Sequence, residues 1–289
     1  MDFRTFRAVS YPLRLHAGAD ALNQLPIEVD RVRSARAFVI CGRSVATKTN
    51  LLSRIEDLLG ARYAGAFCAM DKDSSWPAVS AAIEAARGAE ADMLIAVGGG
   101  SVIVGARVVA IGLGEGGNLF DLMTQYPAGK PAFSPRLLAP KPPIINVVTT
   151  PTSAMNRAGS GLKNDDLDHR MEFFDPKTRP AALFWDADAL LSAPSELIRS
   201  TATTTYTGAL RVLGSEMNPL VEADRRQAFR LVQDALPRIM AEPANPTLRI
   251  DLCAAAFLEN RAADDDQGRR RARDTASAHA YALATALHI

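Results

Sequence analysis

Short apolar runs alternate with helical patterns along roughly the first two-thirds of the chain. The runs carry no charged residue and lie at 37–41, 64–70, 93–97, 144–148 and 181–185. Apolar runs of this length are typical of parallel strands that are buried on both faces. Between the first two runs, Leu51, Ile55 and Leu59 recur at helical spacing. The pattern predicts an α/β fold, in which helices cover a Rossmann-like parallel sheet.

From Pro194 onward the pattern is helical only. It predicts helices at about 220–235, where Pro237 sets the limit, at about 248–262, and at about 275–287. A chain of 289 residues is long enough for two domains of ordinary size. We therefore expect a nucleotide-binding α/β domain at 1–194 and an all-helical domain at 195–289.

Two irregular segments stand out from this pattern. Residues 114–143 are rich in Gly and Pro and lack periodicity, which favours a long functional flap. Asp264 to Asp266 are followed by Arg269 to Arg271, which we interpret as a solvated turn with local ion pairs. A phosphate site is the alternative for this charge run.

Composition narrows the function classes without selecting one. Hydrophobic residues make up 48% and charged residues 22%, which indicates a globular protein. A net charge of +1 gives no field that would attract nucleic acid or a membrane. The N-terminus lacks a secretory pattern and no apolar run is long enough to cross a bilayer, so we expect a cytoplasmic protein. Cys41, Cys68 and Cys253 form no CxxC pair and are interpreted as buried apolar residues.

One of the predicted strands leads directly into a glycine loop. Gly98, Gly99, Gly100 and Ser101 follow the run at 93–97, and a helical pattern begins at Val102. Glycine allows close approach of an anion to the backbone, and the helix N-terminus contributes about half a positive charge. The arrangement predicts a phosphate site; a tight packing turn is the alternative.

The segment around this loop resembles the signature of the iron-containing (group III) alcohol dehydrogenases, a branch of the dehydroquinate synthase-like superfamily. The quoted stretch is Ala-Val-Gly-Gly-Gly-Ser-Val-Ile at 96–103. Further markers follow in the expected order, namely Thr149 to Ser153, Arg179-Pro180 before a strand ended by Asp186, the Thr-rich 202–207, Gly208-Ala209-Leu210 and Asn218-Pro219-Leu220.

The resemblance implies a site for a nicotinamide dinucleotide. The glycine loop would hold the pyrophosphate, and Thr149, Thr150 and Ser153 match the second cofactor loop. Gly42, Arg43 and Ser44 match the turn where members that prefer NAD often carry an acid near the adenosine ribose. Because Arg43 and Ser44 could instead bind a 2′-phosphate, we expect NADP in preference to NAD.

The resemblance also implies a lost metal site. Members hold one divalent metal with one Asp and three His. The Asp and the first His lie in the pattern D-A-L-x-H. Here Gly208 and Val212 occupy those two positions, and neither side chain can donate a lone pair. Thr285 matches the third position, or His279 in a shifted register, and the fourth falls beyond Ile289. We therefore expect no bound metal, and a homodimer or hetero-partner that covers a shortened helical domain.

Without a metal, the reaction would need a general acid. The family motif G-G-G-S-x-x-D-x-x-K has Val104 and Arg107 at its Asp and Lys positions here. The candidate acids are Lys163, Arg107, Tyr206 and His279. Three functions remain open: a metal-independent NAD(P)-dependent oxidoreductase of a small alcohol, aldehyde or ketone; an inactive homologue that binds a nucleotide or phosphorylated ligand or supports a partner; and a fold with non-redox chemistry, as a lyase, isomerase or transferase.

Overall fold

The computed structural model of the protein describes residues 5–210 and 217–265. The predictions for Val212, Arg269 to Arg271, His279, Thr285 and the helix at 275–287 lie outside these residues. A six-stranded parallel sheet forms the centre, in the order β1-β8-β5-β4-β2-β3. Its strands are β1 (Arg14–Gly18), β2 (Ala37–Cys41), β3 (Tyr63–Phe67), β4 (Met93–Gly98), β5 (Ile144–Val148) and β8 (Ala182–Asp186). A separate antiparallel hairpin pairs β6 (Gly159–Leu162) with β7 (Met171–Phe174).

Helices pack on both faces of the sheet, which explains the continuous apolar runs. They are α1 (Leu25–Arg31), α2 (Arg43–Lys48), α3 (Leu51–Leu59), α4 (Trp76–Gly88), α5 (Gly100–Gly114), the short α6 (Leu119–Leu122) and α7 (Ala187–Leu191). Successive side chains of a strand point to opposite faces. Accordingly, Val39 belongs to the apolar cluster under α3, whereas Phe38 and Ile40 belong to the cluster under α4 and α5.

The five strands predicted from apolar runs are confirmed, with shifted ends. The run predicted at 64–70 gives a strand that ends at Phe67, and beyond that end Met70 N donates to Cys41 O (3.2 Å). The edge strand β1 was not predicted, since its exposed and half-buried positions do not form an apolar run. The four-residue strands of the β6–β7 hairpin were also missed.

The second half of the described chain is helical, as predicted. It contains α8 (Ser195–Ala209), α9 (Pro219–Arg238) and α10 (Pro246–Asp265). Asn218 caps α9 by accepting from Leu220 N and Val221 N. Pro237 lies inside the last turn of α9, so the limit predicted there falls short of the observed end. Among the described helices, none is both long enough and apolar enough to cross a membrane.

The end of α10 contradicts the prediction of a solvated turn for Asp264 and Asp265, while Asp266 lies outside the described residues. Asp264 pairs with Arg179 (3.0 Å), and the buried Asp265 accepts from Val9 N (2.7 Å). Both carboxylates therefore connect the helical half to the sheet half. The prediction was wrong for these two residues, because a charge run in sequence does not show which partners lie opposite it.

Candidate dinucleotide-binding site

The sheet changes winding direction between β2 and β4. From β2 the chain passes through α2 and α3 to β3 at one edge, and α4 then returns it to β4 on the other side of β2. From β4 it continues through α5 towards β5, in the opposite direction. In open α/β sheets, a crevice forms outside the carboxyl ends of the two strands at such a switch point. The Gly42 turn and the glycine loop follow these two strands.

The glycine loop opens a long buried helix. Gly99 precedes α5, a helix of 15 residues, and the first backbone bond of the helix runs from Ile103 N to Gly99 O (3.2 Å). The N–H groups in the first turn of a helix have no partner within the helix. The loop therefore presents amides and the positive end of the helix dipole at the crevice, an arrangement that binds anions.

Two buried threonines face the loop closely. A Cβ atom on Gly99 would lie 3.0 Å from Thr150 Oγ1, and one on Gly100 would lie 2.9 Å from Thr152 Oγ1. Thr149 N donates to Gly98 O (3.1 Å), so the loop after β5 is also joined to the loop after β4 by its backbone. The structure thus brings the predicted residues Thr149 and Thr150 to the glycine loop. It adds Thr152, which lies within the marker at 149–153 but was not among the predicted cofactor residues.

Ser101 is held by the segment between β3 and α4. Its Oγ accepts from Asp73 N (3.0 Å), and its carbonyl accepts from Ser74 Oγ (2.5 Å). The same segment pairs with Lys163, whose N donates to Asp73 O (3.2 Å). Lys163 and Ser101 are therefore linked through Asp73, whose backbone is hydrogen-bonded to both residues. Its side chain is more than a third exposed, and Nζ is 3.1 Å from Asp165 Oδ1.

The remaining predicted cofactor turn lies at the neighbouring strand end. Gly42 precedes α2, and Arg43 and Ser44 begin that short helix with exposed side chains. Because Cys41 pairs with Val97 across β2 and β4, the Gly42 turn and the glycine loop lie side by side.

The loop after β5, which carries Thr149, Thr150 and Thr152, is called the threonine loop below. Helix α10 holds its other end. The buried Asn260 donates from Nδ2 to Ser153 O (2.9 Å) and to Asn156 Oδ1 (2.5 Å), and its Oδ1 accepts from Arg157 Nε (2.7 Å). Sequence reasoning identified Ser153 but not Asn260. No local motif could have shown this contact, since the two residues are far apart in sequence.

Arg107 does not line the crevice. Its side chain is fully buried, and the guanidinium donates to the carbonyls of Ala154 and Gly159. Burial, followed by the charges of Arg157 and Arg179, lowers the pKa of Arg107 to about 9, so the group remains protonated at neutral pH. These contacts give Arg107 a structural task, namely holding the threonine loop and β6 against α5.

Tyr206 and Gly208 lie in the helical half. Tyr206 stacks on Phe229 (ring centroids 6.0 Å apart), a packing contact between α8 and α9. A Cβ atom on Gly208 would lie 3.0 Å from Glu259 Oε1, and this oxygen is 3.6 Å from Arg225 Nε. The space beside Gly208 is thus occupied by the Glu259 carboxylate, and Arg225 already balances its negative charge.

Gly208, the one predicted ligand position within the described residues, does not fit a divalent metal. Position 208 supplies no ligand, and the carboxylate beside it is engaged with an arginine. Within 5–210 and 217–265, no three His, Cys, Asp or Glu side chains come together as a metal-binding group. A structural zinc or iron site requires about four such ligands, and a catalytic site about three.

Comparison with known proteins decides the family. The sequence profile of iron-containing alcohol dehydrogenases matches residues 12–187, which is more than half of the chain. The chain belongs to the iron-containing alcohol dehydrogenase family. The matched region contains the glycine loop, the threonine loop and the Gly42 turn, and therefore all the strand ends that line the crevice.

Several known proteins and solved structures are similar to the chain. Maleylacetate reductase 2 from Cupriavidus pinatubonensis is 26% identical over 261 residues, which cover 89% of this chain and 63% of the relative. The crystal structure of sulfoacetaldehyde reductase from Bifidobacterium kashiwanohense in complex with NAD+ matches with a TM-score of 0.76 and 20% identity, over 90% of this chain and 67% of that one. Maleylacetate reductase from Agrobacterium tumefaciens gives a TM-score of 0.72 at 18% identity, over 90% and 65% of the two chains. The chain spans about three-fifths of the length of the curated maleylacetate reductases that it matches.

Proposed function

We propose that the crevice at the carboxyl ends of β2, β4 and β5 binds NADP, and that the protein is a metal-independent oxidoreductase of a small alcohol, aldehyde or ketone. The observation that carries the proposal is the close contact of Gly99 and Gly100 with the hydroxyls of Thr150 and Thr152. Glycine permits this contact at both positions, and the first-turn amides of α5, which have no partner within the helix, can bind a phosphate.

The preference for NADP rests on the Gly42 turn. A 2′-phosphate on the adenosine ribose carries negative charge, which an acid at this turn would repel and an arginine would bind. Arg43 is exposed there, and Ser44 offers a hydroxyl beside it. We expect NADPH to bind more tightly than NADH for this reason.

Lys163 is the candidate acid that the geometry supports best. Reduction of a carbonyl transfers a hydride from the nicotinamide and requires a proton at the carbonyl oxygen, and a positioned side chain can supply that proton. Of the four candidates, Lys163 lies next to the segment that binds Ser101. Arg107 is buried on carbonyl oxygens, Tyr206 packs within the helical half, and His279 lies outside the described residues.

The compensated carboxylate beside Gly208 favours a second candidate function, an inactive homologue that binds a nucleotide without turnover. Both candidates predict binding of NADPH, and they differ in catalysis. The first predicts that small aldehydes are reduced with NADPH in the presence of a chelator. The second predicts binding without any reduction.

Fluorescence titration of the protein with NADPH, NADH and ADP-ribose tests the binding site. We expect NADPH to bind most tightly. Arg43→Gln should lower the affinity for NADPH by about tenfold, because one charge-assisted contact to a phosphate contributes about 1.5–3 kcal/mol. The affinity for NADH should change little. Lys48→Gln changes an exposed charge on the same short helix and serves as the control. Failure of all three ligands to bind would contradict the proposal.

A subsequent screen of small aldehydes, with Lys163→Met as the inactive variant, separates the two candidates.

A further inference from the structure

Two of the three cysteines meet at the carboxyl ends of β2 and β3. Ile40 and Phe67 are the last residues paired in register, and Cys41 and Cys68 come next along the two chains. Both side chains pack in the apolar cluster under α3, and the Cys68 thiol is close enough to Cys41 to contribute to the raised pKa of Cys41. Cys253 lies on α10 and is fully buried.

A β-bulge sets this register. Ala37 pairs with Tyr63 but Val39 pairs with Ala66, so β3 contains one more residue than β2 over the same distance. Gly65 lies within this extra length and has a φ of +117°, a conformation that is strained for other residues. Without the extra residue, Cys41 would lie opposite Phe67. The bulge therefore brings the two thiols together.

We propose that Cys41 and Cys68 form a thiol–disulfide pair that hydrogen peroxide closes. Neighbouring parallel strands are about 4.8 Å apart, which lies within the range of about 4.4–6.8 Å between the Cα atoms of a disulfide. Cys68 is partly exposed, whereas Cys41 is buried. Peroxide therefore reaches Cys68 first.

The reaction proceeds in two steps. Cys68 Sγ attacks peroxide, the O–O bond breaks, and a sulfenic acid and one water form. Cys41 Sγ then attacks Cys68 Sγ, the S–O bond breaks, and the hydroxide leaves as a second water with the proton from Cys41. The two thiols are oxidised by two electrons, and one peroxide is reduced to two waters. Burial, and after it the neighbouring Cys68, raises the pKa of Cys41 to about 12, so Cys41 is a poor nucleophile towards peroxide and the first step falls to the more exposed Cys68.

Closure of the pair would alter the adenosine end of the crevice. Met70 N donates to Cys41 O (3.2 Å), and Met70 O is 3.2 Å from the position that a Cβ atom on Gly42 would take. An S–S bond of about 2.05 Å draws the two sulfurs closer than non-bonded contact allows. The segment at 68–70 must move with Cys68, and the Gly42 turn must move with that segment. We expect oxidation to weaken NADPH binding by about fivefold or more, a consequence that rests on the proposed function.

Tryptic mapping under non-reducing conditions tests the pair directly. After treatment with hydrogen peroxide and alkylation of remaining thiols, the expected product is residues 37–43 linked to residues 63–72, two hydrogens lighter than the separate peptides. Dithiothreitol should reverse the link. The Cys253→Ala variant should give the same link, and Cys41→Ala and Cys68→Ala should not. Intact protein that carries only sulfinic or sulfonic acid at Cys68, or three alkylated cysteines, would overturn the proposal.

Titration of the oxidised and reduced protein with NADPH completes the test. Weaker binding by the oxidised wild type, with no change in oxidised Cys68→Ala, supports coupling between the pair and the crevice. Equal affinity of linked and reduced protein would overturn that coupling. Failure of the reduced protein to bind NADPH would contradict the proposed function, while the peptide map would still decide whether the disulfide forms.

Discussion

At the scale of single residues, the hydroxyls of Thr150 and Thr152 lie 3.0 Å and 2.9 Å from the positions that Cβ atoms on Gly99 and Gly100 would take. The loop after β5 thereby restricts the sequence of the loop after β4. A threonine hydroxyl can donate to a phosphate as well as accept from an amide, so the same contact that disfavours a Cβ also provides two donors at the crevice.

The first prediction concerns this contact. Gly99→Ala should weaken NADPH binding by about tenfold or more, because the new methyl group would meet Thr150 Oγ1 at 3.0 Å and displace the loop. Adding Thr150→Ala removes the obstructing hydroxyl and should recover part of the loss in fluorescence titration. Gly88→Ala is the matched control, since nothing lies within 4 Å of its Cβ position. Equal effects of Gly99→Ala and Gly88→Ala would contradict the argument.

A second prediction at this scale concerns position 208. Gly208→Asp places a carboxylate beside Glu259, whereas Gly208→Asn adds nearly the same volume without the charge. We expect the Asp variant to be less stable to urea than the Asn variant by about 1 kcal/mol or more, since two adjacent carboxylates repel each other. Stabilisation of the Asp variant by added iron or zinc would show that the introduced carboxylate binds a metal and would contradict the expected repulsion.

The sequence supported the glycine loop better than it supported the residues around it. Three glycines and a serine after an apolar run form a local pattern, and their placement at the strand end follows from the fold. Arg107 shows the limit of this reasoning. Its position in the family motif favoured an active-site role, but the side chain turns into the core and binds two carbonyls. Which way a helical side chain points depends on neighbours that a motif does not contain.

At the scale of secondary-structure elements, α10 supports the threonine loop from the other half of the protein. Asn260 binds Ser153, Asn156 and Arg157 within one short stretch. The helix itself was predictable from its apolar positions, whereas this contact was not, because periodicity reports the buried side of a helix but not the polar groups that it meets. The edge strand β1 was missed for a related reason. Its sequence has no apolar run, and its strand conformation depends on hydrogen bonds to β8.

A third prediction follows from Asn260. Asn260→Ala should leave Ser153 O and Asn156 Oδ1 without their donor and lower the free energy of unfolding by about 1–3 kcal/mol. NADPH affinity should fall as well, since the threonine loop loses its fixed end. Thr247→Ala on the exposed side of α10 provides the control for both measurements. A loss of stability with unchanged NADPH affinity would confine Asn260 to a structural role.

At the scale of the whole molecule, a buried arginine on α10 joins the two halves. The Arg249 guanidinium donates to the carbonyls of Leu190 (2.5 Å), Ala193 (2.6 Å) and Pro243 (2.8 Å). Leu190 belongs to α7 and Ala193 to the linker before α8, so one side chain of α10 satisfies the backbone where the sheet half passes into the helical half. Burial lowers the pKa of Arg249, and the nearby Cys253 opposes this change.

The fourth prediction concerns this junction. Arg249→Met removes the donors to three carbonyls and should lower the free energy of unfolding by about 2–4 kcal/mol in urea. Arg199→Met changes the same residue type at an exposed position on α8 and should have little effect. Similar midpoints for the two variants would show that the junction does not depend on Arg249.

The order of the strands in the sheet also has a consequence during synthesis on the ribosome. β1 begins at Arg14 and its partner β8 begins at Ala182, while the intervening β2, β3, β4 and β5 pair among themselves. At about 5–20 residues per second, β1 emerges on the order of ten seconds before the strand that it must pair with. The nascent chain can therefore assemble the middle of the sheet first, and β1 is inserted at the edge only after translation has passed β8.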